Sequence, residues 1–351
     1  MKKGSLATSV MVILMAGCNS GTGPSPNPGI HGWAVGAVLD GYGTILHTAS
    51  GVNWSRQGSQ ETVPAAGLIS VSAVDSMTAW AAGGTYEGFG VVMKTTDGGN
   101  SWLRMGDETS IPNETSRVVG VSATTAWLSG SGNSILKTTD GGVSWQDMSD
   151  PAHSGNVWRG MSLVDQSNIW LCGGTVYDGR VIHSTDGGVS WRSESDSLFE
   201  TWPLITIAAW DAGNAWVVGH GYTIARTTDG GDNWEVVTPD SMHMQGNDAN
   251  GICLLSPEEA WVVTDAGGIW RTTDGGDSWI VQDVPDEAKG FYLVRISALD
   301  PSTAWVNGVG AYSPPEGITL HTTDGGATWN REDDGSLNNM WGISFVDDLP
   351  N

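Results

Sequence analysis

The sequence predicts an all-β protein, a seven-bladed β-propeller of four-stranded antiparallel blades closed by pairing of its N- and C-terminal strands. Three observations predict it: a short word repeated at near-constant spacing, a second word set one hairpin ahead of each copy, and complementary half-units at the two ends of the chain. The first word is KTTDGGNSW at 94–102, and it returns at 137–145, 183–191, 226–234, 271–279 and 321–329. Its closing Trp falls at 102, 145, 191, 234, 279 and 329, with gaps of 43, 46, 43, 45 and 50 residues. A shorter copy, HTASGVNW, ends at Trp54 with Ser50 near the place of the aspartate. A period of about 45 residues is that of a propeller blade.

The second word contains Trp33, Trp80, Trp127, Trp170, Trp216, Trp261 and Trp305, each beside small residues, as in AWVVG. The two words together place 14 of the 19 tryptophans. A third word comes earlier still, as in LISVSAVD at 68–75 and VRISALD at 294–300, and a short apolar run closed by a turn former reads as a buried strand. One unit is therefore an apolar first strand, a Trp-Gly second strand, a third strand such as GVVMKTT, the Asp-Gly-Gly turn, and a fourth strand starting at the closing Trp. The last such run, MWGISFVDD at 340–348, has no unit after it, whereas HGWAVG at 31–36 has no first strand before it. Joined in space they complete a blade and leave no open sheet edge.

The turn explains its own residues. Two glycines supply positive φ without a Cβ clash, and an aspartate accepts bonds from amides within its own turn. Asp97, Asp140, Asp186, Asp229, Asp274 and Asp324 are thus expected to be structural staples, since one carboxylate per turn is too few for a hard cation. The closing Trp is expected at the seam between blades, where its area and its indole N–H both suit. His47, Lys94, Lys137, His183, Arg226, Arg271 and His321 share one position before the Thr pair and read as solvated cross-strand partners of carboxylates, with an anion-binding ring as the alternative.

Composition narrows the partners. Among 351 residues, 15 Lys and Arg oppose 39 Asp and Glu, a net charge of −24, which disfavours nucleic acid and anionic membrane surfaces. Residues 1–17 read as a secretory leader, with two lysines, an apolar run from Val10 to Met15 and small residues before Cys18. Residues 18–30 are rich in Gly, Pro, Ser and Asn and read as a tether, leaving 31–351 for the propeller. Cys172 and Cys253 fall in different repeats and different strand types and read as buried small groups, not as a disulfide or a metal pair. His31, His153, His220 and His243 lack metal-ligand spacing, and no cofactor is expected.

Residues the repeat does not need are the better ligand candidates. Trp158, Arg159, Trp202, Tyr292, Arg295 and Trp341, with Arg117 and Asn250, cluster at the starts of first strands, which in a propeller border the central channel. Aromatic and Arg side chains there suit contact with a peptide or glycan. Plugging of the channel is the competing role.

The repeated word resembles the Asp-box, or BNR, repeat of sialidases, sortilin-type receptors and xyloglucan-degrading enzymes. The fuller pattern over 31–348 is similar to the photosystem II stability/assembly factor family of cyanobacteria and plants and its bacterial relatives. That resemblance implies a non-catalytic module holding a protein client at a membrane. The sialidase-type FRIP word is absent, and a glycoside hydrolase or glycan-binding propeller is the alternative. Leu14-Met-Ala-Gly-Cys18 resembles a lipobox, which implies cleavage before Cys18, its acylation, and an envelope protein held by lipid alone, with Asn19 favouring the outer membrane. A monomer is expected.

Overall fold

The computed structural model describes residues 29–194, 197–199, 202–243, 248–310, 316–332 and 339–347. The leader, Cys18 and all of the tether before Gly29 lie outside the described residues. Seven four-stranded antiparallel sheets follow one another around a ring. Blade 1 joins the two ends of the chain: its inner strand is Met340–Asp347, followed outward by Ile30–Leu39, Tyr42–Thr48 and Ser55–Arg56. The other six run inside to outside in chain order, with inner strands Gly67–Ala73, Thr115–Gly120, Val157–Leu163, Leu204–Ala209, Ala249–Leu254 and Phe291–Ala298. Consecutive inner strands contact each other all the way round, the last meeting the first.

The closing sheet is as the half-units predict. Gly32 pairs with Phe345, Trp33 with Ser344 and Ala34 with Ile343. Gly32 has a reason beyond conformation, because a Cβ there would stand 2.3 Å from the Phe345 ring. Phe345 in turn stacks on Trp305 of blade 7 at 3.8 Å, so the terminal strand is gripped from both sides.

The hydrophobic core is divided among the seams. Seven buried clusters each span two adjacent blades, and each contains a second-strand Trp of one blade. The closing Trp of the next blade meets that ring edge-on: Trp80 with Trp145 at 79°, Trp170 with Trp234 at 86°, Trp216 with Trp279 at 78° and Trp261 with Trp329 at 87°. An edge-to-face pair adds about 0.5–1.5 kcal/mol beyond the area it buries.

Two details differ from the sequence reading. The fourth strands are only two residues long and begin after the closing Trp, as at Leu103–Arg104; a short outer strand offers little edge for another chain to pair with. The basic residues before the Thr pair lie directly opposite the second-strand tryptophans, Trp80 against Lys94 and Trp261 against Arg271 among them. Their main partner is therefore an indole face, with Lys94 Nζ 5.0 Å from the Trp80 ring and His183 stacked on Trp170 at 3.7 Å. Carboxylates add to this at Arg226–Glu235, Arg271–Glu259 and His321–Glu332.

The inner strands also explain the serines of the third word. An inner strand has a free edge toward the channel, and a buried N–H there needs an acceptor. The neighbouring blade supplies one: Ala73 N donates to Ser344 Oγ, Val118 N to Ser70 Oγ, Ala209 N to Ser162 Oγ and Phe345 N to Ser297 Oγ, at 3.0–3.2 Å.

Deleting residues 340–351 is expected to give aggregated protein, read by size-exclusion chromatography; a stable monomer after that deletion would contradict the closure. Ser297→Ala, which orphans the Phe345 N–H, is expected to lower unfolding free energy by about 1–3 kcal/mol in denaturant titration.

Candidate functional site

Each Asp-box turn has the same internal bonds. In the blade 2 turn, Gly98 and Gly99 take φ of +69° and +85°. The Thr95 hydroxyl donates to Asp97 Oδ1 at 2.8 Å and accepts from Gly99 N at 2.9 Å, while Ser101 N and Oγ donate to the two Asp97 oxygens. The pattern returns at Asp140, Asp186, Asp229, Asp274 and Asp324. In blade 1, with no carboxylate, Thr48 Oγ1 still accepts from Gly51 N. Both oxygens of each carboxylate accept bonds inside its own turn, and those bonds, first from the Ser hydroxyl, pull Asp140, Asp186 and Asp274 down to about 2.

The opposite face, with the inter-blade loops and second-to-third-strand hairpins, holds the channel mouth. Every inner strand carries a β-bulge near its start: Ile69, Ser116, Arg159 and Ile205 are skipped in the pairing of blades 2 to 5. Asn250, Val294 and Trp341 take the same place in blades 6, 7 and 1. All seven are half-buried, and all but Val294, which is followed by the half-buried Arg295, lie between buried neighbours, so the bulges form a ring of partly exposed side chains at the mouth. Bulges commonly re-aim side chains in this way.

The candidate residues separate on this ring. Arg159 and Trp341 are bulge residues. Arg295 lies one position beyond its bulge, like Arg117 in blade 3. Trp202 and Tyr292 are exposed, at 53% and 44%, on the rim. Trp158 is a correction: it is fully buried, its indole N–H donating to Asn133 Oδ1 at 2.8 Å, because the bulge at Arg159 leaves it on the core side of the strand. It anchors a seam and contacts nothing outside.

Burial shifts all three arginines, and Arg117 also acts on Arg295. Burial, then the Arg117 charge, pushes Arg295 down to about 9, and burial pushes Arg117 down to about 10. Burial also lowers Arg159 and raises the Cys172 thiol to about 12, although Arg159, Arg117 and Arg295 all oppose the latter. Cys172 is a free thiol, so it does not pair with Cys253. Arg295 donates to the carbonyls of Asn250 and Val294, at 3.0 and 2.9 Å, and Arg159 to that of Gly174 at 3.4 Å. Among the described residues neither forms an ion pair. The channel of a strongly acidic protein thus has a cationic centre.

A second cluster lies beside it on blades 5 and 6. Asp248 Oδ2 is 2.5 Å from His220 Nδ1, and Asp248 Oδ1 accepts from Gly221 N at 2.9 Å. Trp202 packs over Gly221. Asn250 Nδ2 donates to Asp265, whose carboxyl is raised, first by burial. Sequence reasoning named Asn250 and Trp202 but neither carboxylate, because acidic residues are too common in this chain to mark a site.

Fold and repeat define the class of protein, a seven-bladed Asp-box propeller with its variable residues gathered at one channel mouth. Residues 156–290 and 251–339 match the family model described as photosynthesis system II assembly factor YCF48, and the chain belongs to that family. Among solved structures it is similar to YCF48 bound to D1 peptide, with a TM-score of 0.63 and 19% identity over 85% of this chain and 91% of that one. YCF48 from Cyanidioschyzon merolae gives 0.61 and 19% over 81% and 94%. A GH74 enzyme from Niastella koreensis gives 0.54 and 12% over 94% and 69%. At these identities the structures show a shared fold. No curated protein matches the chain.

These shifted histidines and aspartates predict acid sensitivity in two stages. Burial holds His47, His183 and His321 at about 4 in the folded chain against an ordinary 6.5, so the unfolded chain binds more protons and stability falls as pH drops from about 6.5 to 4. Asp140, Asp186 and Asp274, ordinarily at 3.8, add a second loss between there and about 2. A denaturation midpoint that stays constant from pH 7 to pH 4 would contradict the first stage.

Proposed function

We propose that the chain is a non-catalytic protein-binding propeller that holds a client protein during assembly at a membrane, with the channel mouth as its docking face. Family membership and the D1 peptide bound by a YCF48 protein support a polypeptide ligand. The observation that carries the reading is the arginine centre. Arg159 and Arg295 spend their hydrogen bonds on backbone carbonyls, and Arg295 Nε is buried without a partner. A guanidinium in low dielectric is a strong donor to an incoming carboxylate or carbonyl. What transfers from the family is the holding of a protein; the photosystem client itself does not follow for a chain with so few arginines.

The proposal extends to location. The leader-like residues 1–17 and Cys18 support secretion and lipid anchoring in the cell envelope, and Asn19 supports the outer membrane. A propeller closed on itself supports a monomer.

Trp202 beside Asp248 and Asp265 favours a second reading, a glycan-binding or glycoside-cleaving propeller, since an exposed indole stacks on sugar rings and a carboxyl raised by burial beside a second carboxyl suits acid–base work. The tests differ. Arg159→Glu in the full anchored chain is expected to abolish capture of a client from its own envelope while the melting curve stays in place. Equal capture by both proteins would overturn the protein-binding reading. Release of reducing sugar from β-linked glucans, lost in Asp265→Asn, would establish the second instead.

A further inference from the structure

At the seams, the long basic residue of one blade reaches across to the Asp-box turn of the next. Lys94 Nζ donates to Gly141 O at 2.8 Å and Ala123 O at 3.2 Å. Arg226 donates to Gly275 O, and Arg271 to Gly325 O at 2.7 Å. Lys137 of blade 3 is the exception. It lies over Trp127, 4.7 Å from the ring centroid, but among the described residues its ammonium makes no hydrogen bond or ion pair, the equivalent carbonyl of Gly187 included.

At that seam a cavity of about 250 Å³ opens on the Asp-box face, away from the channel mouth. Lys137, Trp127 and Thr125 line one side, and Leu163, Asp165 and Gln166 line the other. The Asp165 carboxylate is fixed by Ser167 N, Asn168 N and Asn168 Nδ2, at 2.6, 2.8 and 2.7 Å, which leaves acceptor capacity on a group that cannot swing away. The ammonium and the carboxylate share the cavity without forming an ion pair. Trp127 and Leu163 give the lining its large apolar groups.

We infer that this seam is a binding site for a small zwitterion, a free α-amino acid, whose carboxylate meets Lys137 and whose ammonium meets Asp165. Charge complementarity selects the class: an anion alone would face Asp165, a cation alone would face Lys137, and a molecule with both charges satisfies both. Size agrees. At about 30 Å³ per water-sized group the cavity holds roughly eight such groups, the scale of a small amino acid. This site is separate from the channel mouth and does not depend on the protein-binding reading.

The test is calorimetric titration of the full chain with glycine, L-alanine and L-glutamine up to about 10 mM, which reaches millimolar dissociation constants. Binding by one or more is expected, weakened about tenfold or more in Lys137→Gln at an unchanged melting temperature. Propionate and ethylammonium, each lacking one charge of alanine, are expected to bind correspondingly worse. Asp165→Asn is a secondary probe, since that side chain also caps its turn. Absence of binding by all three amino acids, equal binding by wild type and Lys137→Gln, or equal binding by propionate and alanine would each overturn the inference.

Discussion

The structure depends on one pairing, that of residues 30–36 with 340–347, because it turns a row of blades into a ring. Without it, blade 1 would lack its inner strand and Phe345 would not reach Trp305. The Ser344 hydroxyl would also be lost to the inner edge of blade 2, and the Ser297 hydroxyl would have no amide to receive. The cost would fall on both neighbours at once. Closure is therefore cooperative: each contact around blade 1 presumes that the strand is already in place, and the chain achieves this with contacts more than 250 residues apart in sequence, such as Trp305 Nε1 to Gly51 O.

Around the rest of the ring the same logic is local and repeated. A second-strand Trp fills a seam, the next blade's closing Trp meets it edge-on, and a basic side chain covers its face and, at Lys94, Arg226 and Arg271, ties down the next Asp-box carbonyl. The Asp-box makes such a tie possible because its internal bonds hold the turn in one conformation, so the exposed carbonyl is always in the same place. Copy number and hydrogen-bond geometry both give these aspartates a structural role within their turns.

Much of this was legible in the sequence, for a physical reason. The turn repeats six times with a shorter seventh copy, seam packing repeats seven times, and repetition separates a structural requirement from chance. The half-units at the two ends were legible because a missing strand must be found somewhere. What the sequence hid are the departures from alternation. One skipped residue per inner strand decides that Arg159 borders the channel and Trp158 packs in a seam, and nothing in a run such as VWRGMSL marks which of the two is skipped. The serines of the third word carry no signal of their role in the sequence, since their partner is an amide one blade away. Lys137 was equally invisible, because it spells the same word as Lys94 and differs only in what it fails to reach.

The charge distribution gives the channel its character. A net charge of −24 spread over the outer surface acts mainly through solvent, where ions screen it beyond about 8 Å at physiological ionic strength. Arg117, Arg159 and Arg295 are enclosed where screening is weak, so a group that enters the mouth feels them far more than it feels the outer carboxylates. The two fields then act at different stages. On the protein-binding reading proposed above, the molecule discourages anionic polymers and surfaces at long range, while at contact it rewards a hydrogen-bond acceptor that can reach the channel. A short projecting segment, such as a chain terminus or loop, meets that double condition better than a broad acidic face, because it carries an acceptor inward without bringing a second negative surface against the first.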